Sequence, residues 1–140
     1  MKHLLPILFL VALLTNSSCG KYEEGPNISL RTKKARLCQQ WYAAELISGN
    51  SEIYLDPSTN YIDFYKNGEH KFSSAGWWNF TGTASWEFAS DKEELLIHVV
   101  QQNGIQYLVT TYTYDILKLT KKKLWLRDEQ GQIIKYTSNY

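Results

Sequence analysis

Two thiols, two imidazoles and two adjacent carboxylate pairs are the groups from which chemistry would be built beyond the first eighteen residues: Cys19, Cys38, His70, His98, Glu23-Glu24 and Glu93-Glu94. A nucleophilic thiol needs an imidazole or another positive charge close by to hold it as the thiolate. No recognisable motif supplies one to Cys38, which reads as a small buried hydrophobe. A metal centre would gather His, Cys or carboxylate ligands at short spacing. His70 and His98 instead stand alone, each in a run of alternating apolar residues, and His98 reads as a solvent-facing strand residue. Glycosidase chemistry requires two carboxyls converging across a cleft, whereas neighbours on a tether or a turn are more simply solvating. No glycine-rich loop leads into a helix to cradle phosphate. The reading is of a non-enzymatic chain with no cofactor and no metal, in which Cys19 alone sits where a covalent modification is expected.

Lys2 and His3 precede an apolar run from Leu4 to Leu14, and Thr15-Asn16-Ser17-Ser18 then leads to Cys19. As a helix the run covers about 16 Å, roughly half a hydrocarbon core, so it reads as a secretory h-region and not as a membrane span. With its cysteine directly after two small residues, the segment resembles a bacterial lipoprotein signal. That resemblance implies cleavage before Cys19, acylation of its thiol by chains such as palmitate, and attachment to a membrane. The alternative is an ordinary secretory signal cut near Ser18. One acyl chain binds marginally, at about 0.8 kcal/mol per buried methylene, while two or three hold a domain durably. Gly20-Lys21-Tyr22-Glu23-Glu24 resembles the export tag of Bacteroidetes-type lipoproteins that reach the cell surface, and the absence of Asp at position 20 suits outer-membrane sorting.

The chain thus divides into a signal peptide at 1–18, a lipidated flexible tether at 19–30 containing Gly25-Pro26-Asn27, and one domain at 31–140. Of the 15 basic residues, loss of Lys2 leaves 14, against 14 acidic ones, so the mature chain is formally neutral. Neutrality argues against a nucleic-acid partner. The Lys33-Lys34-Arg36 cluster and the Lys121-Lys122-Lys123 run read as a solvated segment near the tether and a charged hairpin tip. With Cys19 acylated, Cys38 has no intrachain partner, and packing alone must stabilise the domain.

Thr32 to Gln40 suggests one or two helical turns; beyond it the texture is of short strands rich in aromatic and β-branched residues, separated by turn residues. The runs are 41–47, 61–66, 70–74, 76–81, 84–89, 94–101, 106–120, 124–127 and 133–137, with a loop through Gly49-Asn50 and Asp56-Pro57. Asn67-Gly68 predicts a type I′ hairpin turn, and Asn103-Gly104 marks a second turn. The run 106–120 is too long for one straight strand and is expected to bend or bulge near Tyr114. Ile62 and Phe64, Phe72, Trp78 and Phe80, Trp86 and Phe88, Leu95, Ile97 and Val99, and Leu124 and Leu126 each share one parity and form the expected interior. Tight turns and the absence of long helices predict an all-β, up-and-down antiparallel barrel of about eight strands with a short N-terminal helix, since an open sheet would expose two edges and an apolar face.

Leu37-Cys38-Gln39-Gln40-Trp41 resembles the opening of bacterial lipocalin-like lipoproteins, where a tryptophan sits at the closed end of the barrel. Asp63-Phe64-Tyr65-Lys66-Asn67-Gly68-Glu69, then Gly82-Thr83-Ala84-Ser85-Trp86-Glu87-Phe88, then Tyr114-Asp115-Ile116-Leu117-Lys118-Leu119-Thr120 with Leu124-Trp125-Leu126 follow in the order of that family's hairpin, glycine-to-tryptophan strand and closing strand pair. The resemblance implies a lipocalin-like barrel on a lipid tether. With 5 Trp, 10 Tyr and 5 Phe, the aromatic rings either line a pocket for a small hydrophobic molecule or fill the barrel, and the small size of the domain weighs toward filling. Phe64, Phe72, Trp78, Trp86 and Tyr112 are the candidate wall. A different class of function, binding a protein or glycan in an outer-membrane assembly, would use a surface patch of Trp77, Trp125 and Tyr136, unless the 32–40 helix covers that outer face.

Overall fold

The computed structural model describes residues 31–73, 82–89 and 92–138. Thr32 opens a short helix, α1 (Lys33–Leu37): its own backbone is extended, and its Oγ1 accepts from the Ala35 N–H at 3.1 Å, satisfying a first-turn donor. A helix this short is not stable alone, so tertiary contacts must hold it. Leu37 is fully buried, and Trp41 Nε1 donates to the Leu37 carbonyl at 2.9 Å. Lys33 Nζ donates to Lys92 O at 2.7 Å, and Gln39 Nε2 donates to Lys121 O at 3.0 Å. These bonds lay α1 across one end of the barrel. The expectation that it covers an outer face is therefore corrected: Leu37 is the group that needs burial, and the end of the barrel is where the apolar ends of the strands would otherwise meet water.

Among the described residues nine strands follow: β1 (Gln40–Ser48), β2 (Ser51–Tyr54), β3 (Tyr61–Phe64), β4 (Glu69–Ser73), β5 (Gly82–Phe88), β6 (Glu94–Asn103), β7 (Gln106–Leu119), β8 (Lys123–Arg127) and β9 (Ile133–Thr137); the run expected at 76–81 lies outside those residues. They form one antiparallel sheet in the order β2-β1-β3-β4-β5-β6-β7-β8-β9, closed by pairing of β1 with β9. β3 pairs with the first half of β1 and β2 with its second half. The two act as one interrupted strand, and the ring is an eight-strand barrel, as the tight turns and the absence of long helices predicted. At the interruption, residues 55–60 leave the wall, pinned by Leu55 N–H to Ala44 O at 3.0 Å and by Ala43 N–H to Asn60 O at 2.8 Å. The sequence placed a loop over 49–57; β2 lies within it because all four of its residues are exposed and show no inward–outward pattern.

Turn chemistry differs from expectation in one place. Tyr65 N–H bonds to Glu69 O and Gly68 N–H to Tyr65 O, and in this turn only Gly68 has positive φ (+91°), so the hairpin is a longer turn completed by glycine and not type I′. At the β6–β7 turn Gly104 (φ +62°) and Ile105 are the central residues, with positive φ at the first alone, the pattern of type II′. The bend in β7 falls at Leu117, between Ile116 and Lys118 in the register with β8, and not near Tyr114. A second bulge sits at Ala44 in β1. Both have the same cause: Ile116 and Leu119, like Ala43 and Leu46, are buried three apart, which a regular strand forbids and one extra residue permits.

The interior is as the parity predicted for Phe64, Trp86, Leu95, Ile97, Val99, Leu124 and Leu126, all buried, with Ile62 and Phe88 packed against them. Tyr136 corrects the expectation of an outer patch. It stands opposite Leu124 and Ala43 and points inward. Trp125 alternates with Leu124 and Leu126 and lies outside, where Lys118 Nζ and Lys135 Nζ stand 4.3 and 5.0 Å from its ring centroid and cover it; Trp77 and Phe80 lie outside the described residues.

The plug dictates an expected cost. Trp41→Phe should destabilise the domain by about 1–3 kcal/mol in urea unfolding, through lost packing and an orphaned Leu37 carbonyl. Thr32→Ala should cost about 1 kcal/mol by removing the helix cap.

Candidate functional site

Above the plugged end, the inward positions no longer meet across the barrel. They enclose a cavity of about 600 Å³, within the usual range for small-molecule sites. Its apolar wall includes Ala43 and Leu46 from β1, Ile62 from β3, Ile97 and Val99 from β6, Leu126 from β8 and Ile134 from β9. Polar groups enter at Thr110, Tyr112 and Tyr114 of β7, at Tyr136 of β9, and at His70 of β4. The β8–β9 turn contributes Asp128 and Glu129, and the excursion at 55–60 contributes Leu55 and Asn60. These side chains come from β1, β3, β4, β6, β7, β8 and β9, so no single strand reveals the space.

His70 is the most constrained of the polar groups, with 6% of its surface exposed. Its ring stacks on Phe64 (centroids 4.7 Å apart, planes 25° apart) and on Phe72 (5.6 Å, 29°), while Phe64 meets Trp86 edge-on at 5.7 Å. His70 Nδ1 lies 3.2 Å from the Asp63 carbonyl oxygen. A carbonyl only accepts, so Nδ1 carries the proton and Nε2 presents a lone pair. Burial pulls the pKa of the ring down to about 4 against the opposing pull of that carbonyl, and the imidazole is neutral at pH 7. Burial likewise pushes the Tyr114 phenol up to about 12, helped by Asp128, and raises Tyr136, so both keep their O–H.

The candidate wall separates into two groups. Phe72 and Tyr112 line the cavity. Phe64 and Trp86 do not: they form the packed floor beneath it, with Trp86 Nε1 donating to Tyr65 O at 2.9 Å. Trp78 and Cys19 lie outside the described residues. The interior is packed at the plugged end and open above it, so filling and lining both occur, at different depths. His70, Tyr114 and Tyr136 were missed as cavity residues. For His70 a signal existed, because it is two residues from Phe72 on β4 and must share its face.

Comparison with protein-family models, with curated proteins and with solved structures yields no match.

The other reactive groups are placed away from the cavity. Cys38 is half-buried against the core, and burial pushes its thiol above the usual value despite Lys34 and Lys66 nearby. His98 stands on the outer wall, with Nδ1 2.9 Å from Thr111 Oγ1 and Nε2 3.3 Å from Glu87 Oε1. Among the described residues no group of three or more His, Cys, Asp or Glu side chains is arranged to hold a metal ion.

His70 sets a pH dependence of stability. The unfolded ring takes a proton near pH 6.5 and the folded ring only near 4, so its contribution is complete above pH 6.5 and is lost as pH falls toward 4. Urea unfolding should show a loss on the order of 3 kcal/mol across that window. In His70→Phe the slope between pH 6.5 and 4 should flatten; an unchanged slope would show that other groups carry it.

Proposed function

We propose that the chain is a non-enzymatic binding protein that holds a small, largely apolar molecule inside its barrel and is tethered by an acylated Cys19 to a bacterial outer membrane, at its cell-surface side. The observation that carries the reading is the cavity: about 600 Å³ inside the wall, with a largely aliphatic and aromatic lining and polar groups among which His70 is held in a fixed orientation. Such a lining favours an apolar guest through area removed from water, at about 25 cal/mol per Å². The absence of catalysis is supported by the placement of the reactive groups. Cys38 is outside the cavity with its thiol kept protonated, and the His70 ring is held by a backbone carbonyl instead of a carboxylate. The tether is supported by the apolar run 4–14, Ser17-Ser18 and Cys19, and the surface address by Lys21-Tyr22-Glu23-Glu24.

A second reading has its own observation. Ile53 and Tyr54 on the β1–β2 hairpin, and Ile105, Tyr107, Leu108 and Val109 on the β6–β7 hairpin, are exposed, Ile105 almost completely at 97%. The strand registers place both hairpins at the end of the barrel opposite α1. Surfaces of this kind suit a protein or glycan partner, which would make the chain an interaction module of an outer-membrane assembly.

N-phenyl-1-naphthylamine, a neutral probe that brightens in apolar surroundings, should bind saturably at pH 7. Ile97→Trp, which fills the cavity from β6, should weaken that binding at least tenfold, whereas Ile105→Ser should not. Loss in Ile105→Ser with retention in Ile97→Trp would transfer the site to the hairpins. Mass spectrometry of the native protein should find acyl chains on Cys19, and Cys19→Ala should release the protein from the membrane fraction.

A further inference from the structure

Half of the hydrogen-bonding capacity of His70 is occupied and half is not. Its Nδ1–H is held by Asp63 O, and the stacked rings of Phe64 and Phe72 fix its plane. Among the described residues no donor meets Nε2, although the side chain is more than nine-tenths buried and borders the cavity. Arg36 Nε, and not His70 Nε2, is the fully enclosed side-chain atom without a partner among those residues, so Nε2 keeps an accessible face on the cavity, and a guest that displaces water from it must supply an N–H or O–H in exchange. Charge narrows the choice further. Among the described residues no lysine or arginine lines the cavity, while Asp128 and Glu129 do. A carboxylate brought inside would face a lone pair and two acids with no cation to offset its desolvation. The hydroxyls of Tyr112, Tyr114 and Tyr136 both donate and accept, which suits a group that does the same.

Resting on the reading of the cavity as a binding site, we infer that its ligand is an uncharged, mainly apolar alcohol or phenol, whose O–H donates to His70 Nε2 at the inner end of the cavity. Orientation follows. The hydroxyl enters first, toward the Phe64–Trp86 floor, and the apolar remainder lies along Ile97, Val99 and Ile134.

Three probes of one size separate the possibilities by calorimetric titration at pH 7: 2-naphthol, naphthalene and 2-naphthoate. The wild-type protein should bind 2-naphthol about tenfold more tightly than naphthalene, the effect of one hydrogen bond to an acceptor that naphthalene would leave without a donor, and should bind 2-naphthoate most weakly. His70→Phe keeps the stack and removes the acceptor, so 2-naphthol should fall to the affinity of naphthalene, which itself should not change. In wild-type protein labelled with ¹⁵N on histidine, the His70 Nε2 resonance should move upfield with 2-naphthol and stay in place with naphthalene, a readout that does not depend on any variant folding. Equal binding of 2-naphthol and naphthalene, or tighter binding of 2-naphthoate, would overturn the inference and leave the apolar cavity standing. Failure of all three probes to bind would remove both.

Discussion

Closure of the sheet through the pairing of β1 with β9 is the constraint from which the rest follows. Five register pairs, from Tyr42 with Thr137 to Ile47 with Ile133, join the first strand to the last. Without that seam, both strands would offer unpaired backbone to water, and the inward faces of all the others would lie on an open apolar surface. With it, the ring of eight has one inside and one outside, and an interior of that width accommodates side chains or a single guest. The bulge at Ala44 belongs to the same seam, because it lets Trp41, Ala43 and Leu46 all point inward although their spacing breaks alternation.

Division of labour inside the barrel is set by α1. Leu37 and Trp41 close one end, and the fully buried Leu95, Leu119, Leu124 and Leu126 pack on them. Stability is concentrated there, and among the described residues no disulfide adds to it, Cys38 being a free thiol. The remainder of the interior is released from the need to fill itself. Phe64 and Trp86 mark the boundary, and His70 is the first side chain above it.

Much of the fold was legible in the parity of single strands. Ile62 with Phe64, Leu95 with Ile97 and Val99, and Leu124 with Leu126 declared their faces because each strand has one dry side and one wet one. What was hidden needed information from neighbouring strands. Tyr136 suits either face chemically, and only the register with Leu124 and Ala43 decides that it lies inside. Ser51–Tyr54 has no dry side at all, so nothing in its pattern marks a strand. His70 was passed over because an imidazole is not apolar, although its separation from Phe72 already placed it. Whether aromatic side chains line a space or fill it depends on the depth at which strands from opposite sides stop touching, and Phe64 and Phe72 fall on different sides of that depth.

The excursion at 55–60 has a consequence for how such a barrel can vary. Its two ends bond to neighbouring residues of β1, Ala43 and Ala44, so the chain leaves and rejoins the wall at practically one point. A segment anchored in that way can lengthen, shorten or change composition while the pairings on either side keep their alignment, and loop closure becomes only slightly more costly as length grows. The residues it carries to the cavity, Leu55 and Asn60, are therefore the part of the lining most independent of the scaffold, where new selectivity can arise without rebuilding the barrel.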